Sequence, residues 1–462
     1  MIILAIETSC DETAIALIES TGSTRKPEFS VLAHIVSSQA KLHAEWGGVV
    51  PNIAKREHEK MLVPLLIKTF TEGKLLESGS MNHESGEKNK IRNSYFIIHN
   101  SILEKNEELR KQFEEHILHL PRPNIDLIAV TQGPGLEPAL WVGVNFARAL
   151  SYWWNIPLLG VNHMEGHILS ALIDQKGISN SPNYLISNKI PKSKPQQPAS
   201  YELQAISYPA LALLVSGGHT ELVLIHPIRN RVRTSAPKGP SGRAVSNGVK
   251  KPLQYKIIGE TLDDAAGEAF DKVARILGLG YPGGPAISRE SEKEARICLP
   301  ASPCEAWRAG NLESRISLPR PMMNSKNYDF SFSGLKTAVL YLVRDLEKQH
   351  ADITKLRPVI AKEFQDAVVD VLVSKTMRAA KEHKVKSIIL GGGVAANKAL
   401  RKNLANAISA ELPDSKFYIP DSSITGDNAL MIAAAALSRH KQAKKTNWKT
   451  LKPNAIMRLI TG

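Results

Sequence analysis

The chain has 462 residues, 43% hydrophobic and 23% charged, so it is globular, too long for one ordinary core and suited to two domains, with a cleft, plus insertions. No run reaches the ~18 apolar residues of a membrane span and MIILAIETSCDE lacks a basic leader region, while Cys10, Cys298 and Cys304 lack metal-type spacing and suit a reducing compartment. These features argue against membrane, secretory and import destinations and predict a cytoplasmic protein; the formal charge of +14 fits a polyanionic partner or a solvated basic surface equally.

Residues 2–19, IILAIETSCDETAIALIE, read as a β-hairpin with its tip at Thr8 to Thr13. After helical sequence, DLIAVTQGPG is a buried strand ending in a glycine turn, followed by the helix ALWVGVNFARALSYWW from Ala139. The outline repeats in residues 210–226, ALALLVSGGHTELVLIH, whose tip carries Ser216, Gly217, Gly218, His219 and Thr220, and in SIILGGGVAANKALRKNLANAI. The period is too long for a solenoid, and a duplicated α/β fold explains it. Each half then offers a hairpin tip and a strand-to-helix glycine turn to a shared crevice, where backbone N–H groups suit nucleotide phosphates.

The expected boundaries are an N-terminal α/β domain at 1–172, completed by a helix at 427–441, an insertion or linker at 173–209, a C-terminal α/β domain at 210–426 and a basic tail at 442–462. Four stretches interrupt the outline. Residues 73–124 are polar, with ILEKNEELRKQFEEHIL reading as a charged exposed helix; 174–207 reads as a loop; 229–253 has seven Lys and Arg and no acid; 289–318 has no clear period.

His163 and His167, in NHMEGHILSALI, lie about 40° apart on a helix and project from one face, as a bidentate metal site requires. An isolated pair at this spacing is more often simply packed, and two histidines rarely suffice for a metal. Asp427, at the turn entering ALMIAAAALSR, is the best third ligand, against its competing role as a helix N-cap. Glu165 points about 200° around the helix from His163, unlike the glutamate of the HExxH proteases, and is a poor base. Asp11, beside Glu7 and Glu12 at the first tip, is the candidate general base through mutual carboxylate repulsion, whereas the same acids disfavour a thiolate at Cys10. Asp271 and Lys272 begin a striped helix, YPGGP is a turn able to admit a sugar or base, and FSFSGLKT reads as a core strand.

The ordered set IETSCDET (6–13), GGVVPNIAKREH (47–58), QGPGL (132–136), NHMEGH (162–167), LLVSGGHT (213–220), DDAAGEAFDK (263–272), YPGGP (281–285), FSFSGLKT (330–337), GGGVAANKALR (391–401) and TGDNALMIA (425–433) resembles the TsaD family of tRNA N6-threonylcarbamoyladenosine transferases, in its bacterial form. The resemblance implies a duplicated actin-like, sugar-kinase-type (ASKHA) two-domain fold with a central cleft, and transfer of threonylcarbamoyl from threonylcarbamoyl-AMP to N6 of adenosine 37 in tRNAs reading codons that begin with A. It implies one divalent ion on His163, His167 and Asp427, ferrous iron ahead of zinc, and TsaB-like and TsaE-like partners. The adenylate would be held by Leu214, Val215, Ser216, Gly217, Gly218, Asp271, Gly284 and Asn397. Ser288 stands where family members carry an acid, which weakens a ribose contact there. The basic run 229–253 and the tail lysines Lys441, Lys444, Lys445, Lys449 and Lys452 are candidate tRNA contacts. Competing readings are a kinase or ATPase of the same fold, a metalloprotease and a non-catalytic partner subunit.

Overall fold

The computed structural model describes residues 1–21, 27–75, 97–175, 200–227, 253–297, 316–443 and 447–459. Its first sheet contains β1 (Ile2–Glu7), β2 (Glu12–Ser20), β3 (Glu28–Ser38), β4 (Leu127–Gly133), β5 (Leu158–Asn162), β6 (Ile173–Gln175) and β7 (Ser200–Leu203), in the order β5-β4-β1-β2-β3-β7-β6. The second contains β8 (Ala210–Val215), β9 (Thr220–Pro227), β10 (Leu253–Glu260), β11 (Ser387–Gly391) and β12 (Lys416–Tyr418), in the order β10-β9-β8-β11-β12.

The two sheets share one plan. β1 to β3 form an antiparallel meander extended by parallel β4 and β5, and β8 to β10, β11 and β12 do the same. The first sheet adds β6 and β7 beyond its meander edge, antiparallel to each other, so the predicted loop over 174–207 contains strand at 174–175 and 200–203; residues 176–199 lie outside the described residues.

The helices are α1 (Ala40–Ala44), α2 (Pro51–Glu72), α3 (Glu107–Gln112), α4 (Glu137–Trp154), α5 (His163–Ser170), α6 (Ala266–Ile276), α7 (Gly283–Ile297), α8 (Ser333–Lys348), α9 (Ile353–Glu382), α10 (Lys398–Glu411) and α11 (Ala429–Ala443). Strand alternation assigns them to layers. On β1 and β2, Leu4, Ile6, Ile15 and Leu17 face an outer core with residues of α2 and α4, while Ala5, Ala14 and Ala16 face the opposite way. That inner face is shared with Ala210, Ala212 and Leu214 of β8 and with α5 and α11. The far face of the second sheet buries Leu211, Leu213 and Val215 against α6, α8, α9 and α10.

Small side chains dominate the inner layer for a packing reason. The ALMIAAAALS run of α11, with Ala433, Ala434, Ala435 and Ala436 fully buried, lies against β1, β2, β4 and β5, and alanines on both surfaces let backbones approach closely. α5 touches β4 and β5 of one sheet and β8 and β11 of the other, which makes it the element held between the halves.

Two segments differ from their sequence reading, and the basic tail packs against both halves. Residues 107–112 are helical, but the segment is not an exposed charged helix: Leu109, Phe113 and Ile117 recur at helical spacing and are fully buried in the outer core. The FSFSGLKT segment is not a core strand. Phe330 and Phe332 are buried, a single bridge joins Phe330 to Thr261, and the chain enters α8 at Ser333. Ser331 and Ser333 donate their hydroxyls to Asp263, each 2.6 Å from its Oδ2, and Asp263 Oδ1 accepts from Phe332 N at 2.9 Å and Ser333 N at 3.3 Å, so the carboxylate gathers the start of α8. Residues 447–459 are docked. The rings of Tyr152 and Trp448 pack with centroids 4.7 Å apart, Asn454 N–H donates to Gln132 O at 2.8 Å, Gly135 N–H donates to Ala455 O at 3.2 Å, and the Arg458 guanidinium pairs with Glu260 of β10.

The basic run falls almost wholly outside the described residues, as do Cys298, Cys304, Lys444 and Lys445. Among the described residues no helix is long and apolar enough to cross a membrane.

Candidate metal centre and nucleotide cleft

β5 delivers Asn162 to the start of α5, where its side chain caps the helix by accepting from Met164 N at 2.9 Å and Glu165 N at 3.2 Å. The cap fixes the first turn, and the i, i+4 spacing brings His163 and His167 to one face with ring centroids 4.6 Å apart. Asp427 arrives from the turn before α11. Its Oδ1 lies 3.3 Å from His163 Nε2 and 3.2 Å from His167 Nε2, and the two nitrogens are 3.1 Å apart.

The competing reading of Asp427 as an N-cap fails, because Asn428 is the residue that caps α11. The Asn428 Oδ1 accepts from Met431 N at 3.0 Å and its amide donates to Ile424 O and Gly426 O. Asp427 is thereby free to face the histidines. Burial works against its charge, but His163 and His167 hold its carboxyl far below the usual carboxylate range.

Bond lengths of about 2.0–2.2 Å from a common ion would set ligand edges of about 2.9–3.5 Å, which the observed edges satisfy. The partner of His163 also fits. Its Nδ1 lies 3.1 Å from Glu7 Oε2, and Glu7 is fully buried and receives Thr131 Oγ1 at 2.6 Å and Ser9 N at 2.5 Å. A carboxylate taking the Nδ1 proton leaves the Nε2 lone pair for an ion. His163, His167 and Asp427 are the one His/Cys/Asp/Glu group of metal-binding spacing among the described residues.

Sequence reasoning placed Glu7 among the tip acids and missed its role as partner of His163; an acid ending an otherwise apolar strand was the available signal. Glu165 is accounted for differently. Its carboxylate accepts from Tyr255 Oη at 3.0 Å and pairs with Arg439 at 2.8 Å, tying α5 to β10 and α11.

Asp11 is 8% exposed at the tip between β1 and β2, and receives the Tyr281 hydroxyl from the other half at 3.4 Å. Burial and then the charge of Asp11 push the neighbouring Glu12 carboxyl well above its ordinary value. The same two causes push the Cys10 thiol up, in keeping with its exclusion as a nucleophile. His58 of α2 braces this tip. Its Nε2 donates to Cys10 O at 3.0 Å while Nδ1 accepts from Thr13 Oγ1 at 2.7 Å, and burial holds the ring neutral with a pKa of about 4.

The nominated adenylate residues fall into three groups. Leu214 and Val215 are fully buried in β8 and offer only backbone, whereas Gly217 and Gly218 stand exposed at the hairpin tip, where Ser216 Oγ accepts from His219 N at 3.1 Å. Asp271 of α6 accepts from Gly283 N at 2.7 Å, and burial raises its carboxyl to about 6; Gly284 has open space where a side chain would begin. Asn397 is committed to structure, capping α10 through Leu400 N and donating to Gln365 at 2.8 Å and Ser288 at 3.0 Å.

The fold is thus a duplicated α/β architecture with two histidines and an aspartate gathered at metal-binding spacing between its halves. The profile described as "TsaD: tRNA N6-adenosine threonylcarbamoyltransferase" matches residues 30–77, 110–187 and 242–434, and the chain belongs to that family. Relatives carrying the same name include one from Chromobacterium violaceum, 36% identical over 98% of this chain and 97% of its own length. Others come from Ralstonia pickettii, 37% identical over 95% of this chain and 91% of its own, and Thermosipho africanus, 37% identical over 96% and 95%. A full-length HypF in its phosphate- and nucleotide-bound form superposes with a TM-score of 0.42 at 10% identity, covering 96% of this chain and 55% of that one.

Proposed function

We propose that this protein transfers the threonylcarbamoyl group from threonylcarbamoyl-AMP to N6 of adenosine 37 in tRNAs reading codons that begin with A, releasing AMP. The metal triad carries this reading within a family whose members bear the transferase name. Neither competitor has comparable support: the ATPase reading needs only the glycine turns, and the protease reading needs Glu165 as a base, though it is committed to Tyr255 and Arg439.

The acceptor amine is a weak nucleophile because its lone pair is delocalised into the purine. Transfer forms an N6–carbonyl carbon bond, breaks the bond between that carbon and the phosphate oxygen, and removes one proton from the amine. A divalent ion held by His163, His167 and Asp427, ferrous iron ahead of zinc, would supply Lewis-acid stabilisation of the developing oxyanion and departing phosphate. Glu7 sets the imidazole of His163 in the ligating tautomer. Asp11, held by the braced tip and approached by Tyr281, would orient the amine or accept its proton. The exposed backbone at Gly217 and Gly218 would meet the phosphate, with Asp271 and Gly284 beside the nucleoside. The formal charge of +14 favours tRNA as the polyanion. TsaB-like and TsaE-like subunits are the expected partners and the cytoplasm the expected location.

Mass analysis of tRNA incubated with threonylcarbamoyl-adenylate, the protein and its partners checks the reaction directly. Replacing His163 and His167 together by alanine should abolish the modified nucleoside and leave the circular dichroism spectrum close to wild type. Near-normal transfer by that variant in metal-free buffer would overturn the assignment.

A further inference from the structure

The loop from Ala44 to Gly47, which leads into the GGVVP segment, takes no part in the chemistry above, yet it forms one wall of a cavity of about 460 Å³ at the junction of the halves. Glu45, Trp46 and Gly47 come from the first half, and Asp271, Arg275 and Tyr281 from the second. Trp46 is 62% exposed, while its backbone is fixed. Trp46 N–H donates to His43 O at 3.1 Å, Gly47 N–H donates to Ala44 O at 3.1 Å, and Arg275 donates across the junction to Gly47 O. Beneath the loop His43 is fully buried, its Nε2 3.1 Å from Gln39 Oε1. An exposed indole on so constrained a loop is a pre-set aromatic surface rather than a frayed side chain.

Charge narrows the occupant. The carboxylates of Glu45 and Asp271 oppose a phosphate, and the guanidinium of Arg275 already serves Gly47. An uncharged planar group with amino donors suits an indole face flanked by carboxylates. Position narrows it further, since Tyr281 lines this cavity and also reaches Asp11.

We propose that Trp46 is a stacking platform for an unpaired nucleobase flanking the acceptor adenosine in the anticodon loop, holding the loop so that the adenosine amine meets Asp11. This rests on the transferase reading. Bases of a single-stranded loop are splayed out and stack on aromatic side chains, whichever base is present.

The test measures binding of an anticodon stem-loop RNA to the metal-loaded full chain, using wild type, Trp46→Ala and Trp46→Phe. Alanine should weaken binding about 5- to 150-fold and phenylalanine should retain most of it. An abasic nucleotide beside the acceptor should weaken wild type to a similar degree and scarcely affect the alanine variant. The KM for threonylcarbamoyl-adenylate should be the same in all three proteins. Unchanged RNA affinity in Trp46→Ala overturns the platform, as does a raised donor KM with RNA binding intact, which would give the ring to the adenylate. A wild-type protein that holds no stem-loop sinks the tRNA reading itself.

Discussion

Glu7 shows how one buried acid fixes the chemistry of its neighbour. It is fully buried at the end of β1, receives donors from Ser9 and Thr131, and lies 3.1 Å from Nδ1 of His163. Its replacement by Gln keeps the shape but can turn an amide N–H toward the imidazole, removing the carboxylate that fixes the tautomer. Glu7→Gln should lose about 10- to 100-fold in affinity for the divalent ion, measured by competition with a chelator. The histidine pair was legible as a candidate from its spacing, and Asp427 from its place at a polar turn entering an apolar helix. Partners such as Glu7 were not, because its separation of 156 positions from His163 is bridged by the parallel pairing of β1, β4 and β5.

Among the elements, α11 is the most constrained. Its alanines fill a layer whose opposing surface also carries Ala5, Ala14, Ala16 and Ala129, so a larger side chain at one of these alanines meets close-packed neighbours. Ala434→Leu should cost about 1–3 kcal/mol in a urea titration, because overpacking forces off-rotamer side chains or separates the layers. The glycine turns obey a similar limit. Gly135 has φ +155° and a Cβ there would lie 2.6 Å from Ser9 O, while Gly392 has φ +90° and a Cβ there would strike Val215. Each turn closes on the hairpin of its own half, which repeats the duplication at atomic detail. That duplication was readable because hairpin, strand and glycine turn are local patterns. The burial of Leu109, Phe113 and Ile117 was obscured by the charged residues between them, and the attachment of β6 and β7 by the long polar connection that separates them in sequence.

At the scale of the whole molecule, titration couples both halves to pH. His34, His58 and His219 are held neutral by burial, each with a pKa of about 4 against an ordinary 6.5. The unfolded chain takes up those protons first, so each group's contribution is intact above 6.5 and is lost as pH falls toward 4, by about 1.4 kcal/mol per pH unit. Glu221, raised to about 7, and Asp271, raised to about 6, act in the opposite sense because the folded state holds their protons longer. The sum is therefore shallow, and a difference against a variant isolates one group. Wild-type stability minus that of His58→Gln should fall between pH 6.5 and 4 in urea titrations, and a difference independent of pH would show that His58 is not held neutral.

The placement of α11 also bears on synthesis. Asp427 and the helix that covers the inner face of the first sheet follow every described strand of both sheets in sequence, although β1 is made first. A nascent chain must carry an uncovered apolar sheet through most of translation, and Asp427 joins the two histidines only after the strands of both sheets have been made. Fragments released early therefore lack Asp427 and the covering helix, and their bare sheet marks them for chaperones and proteases.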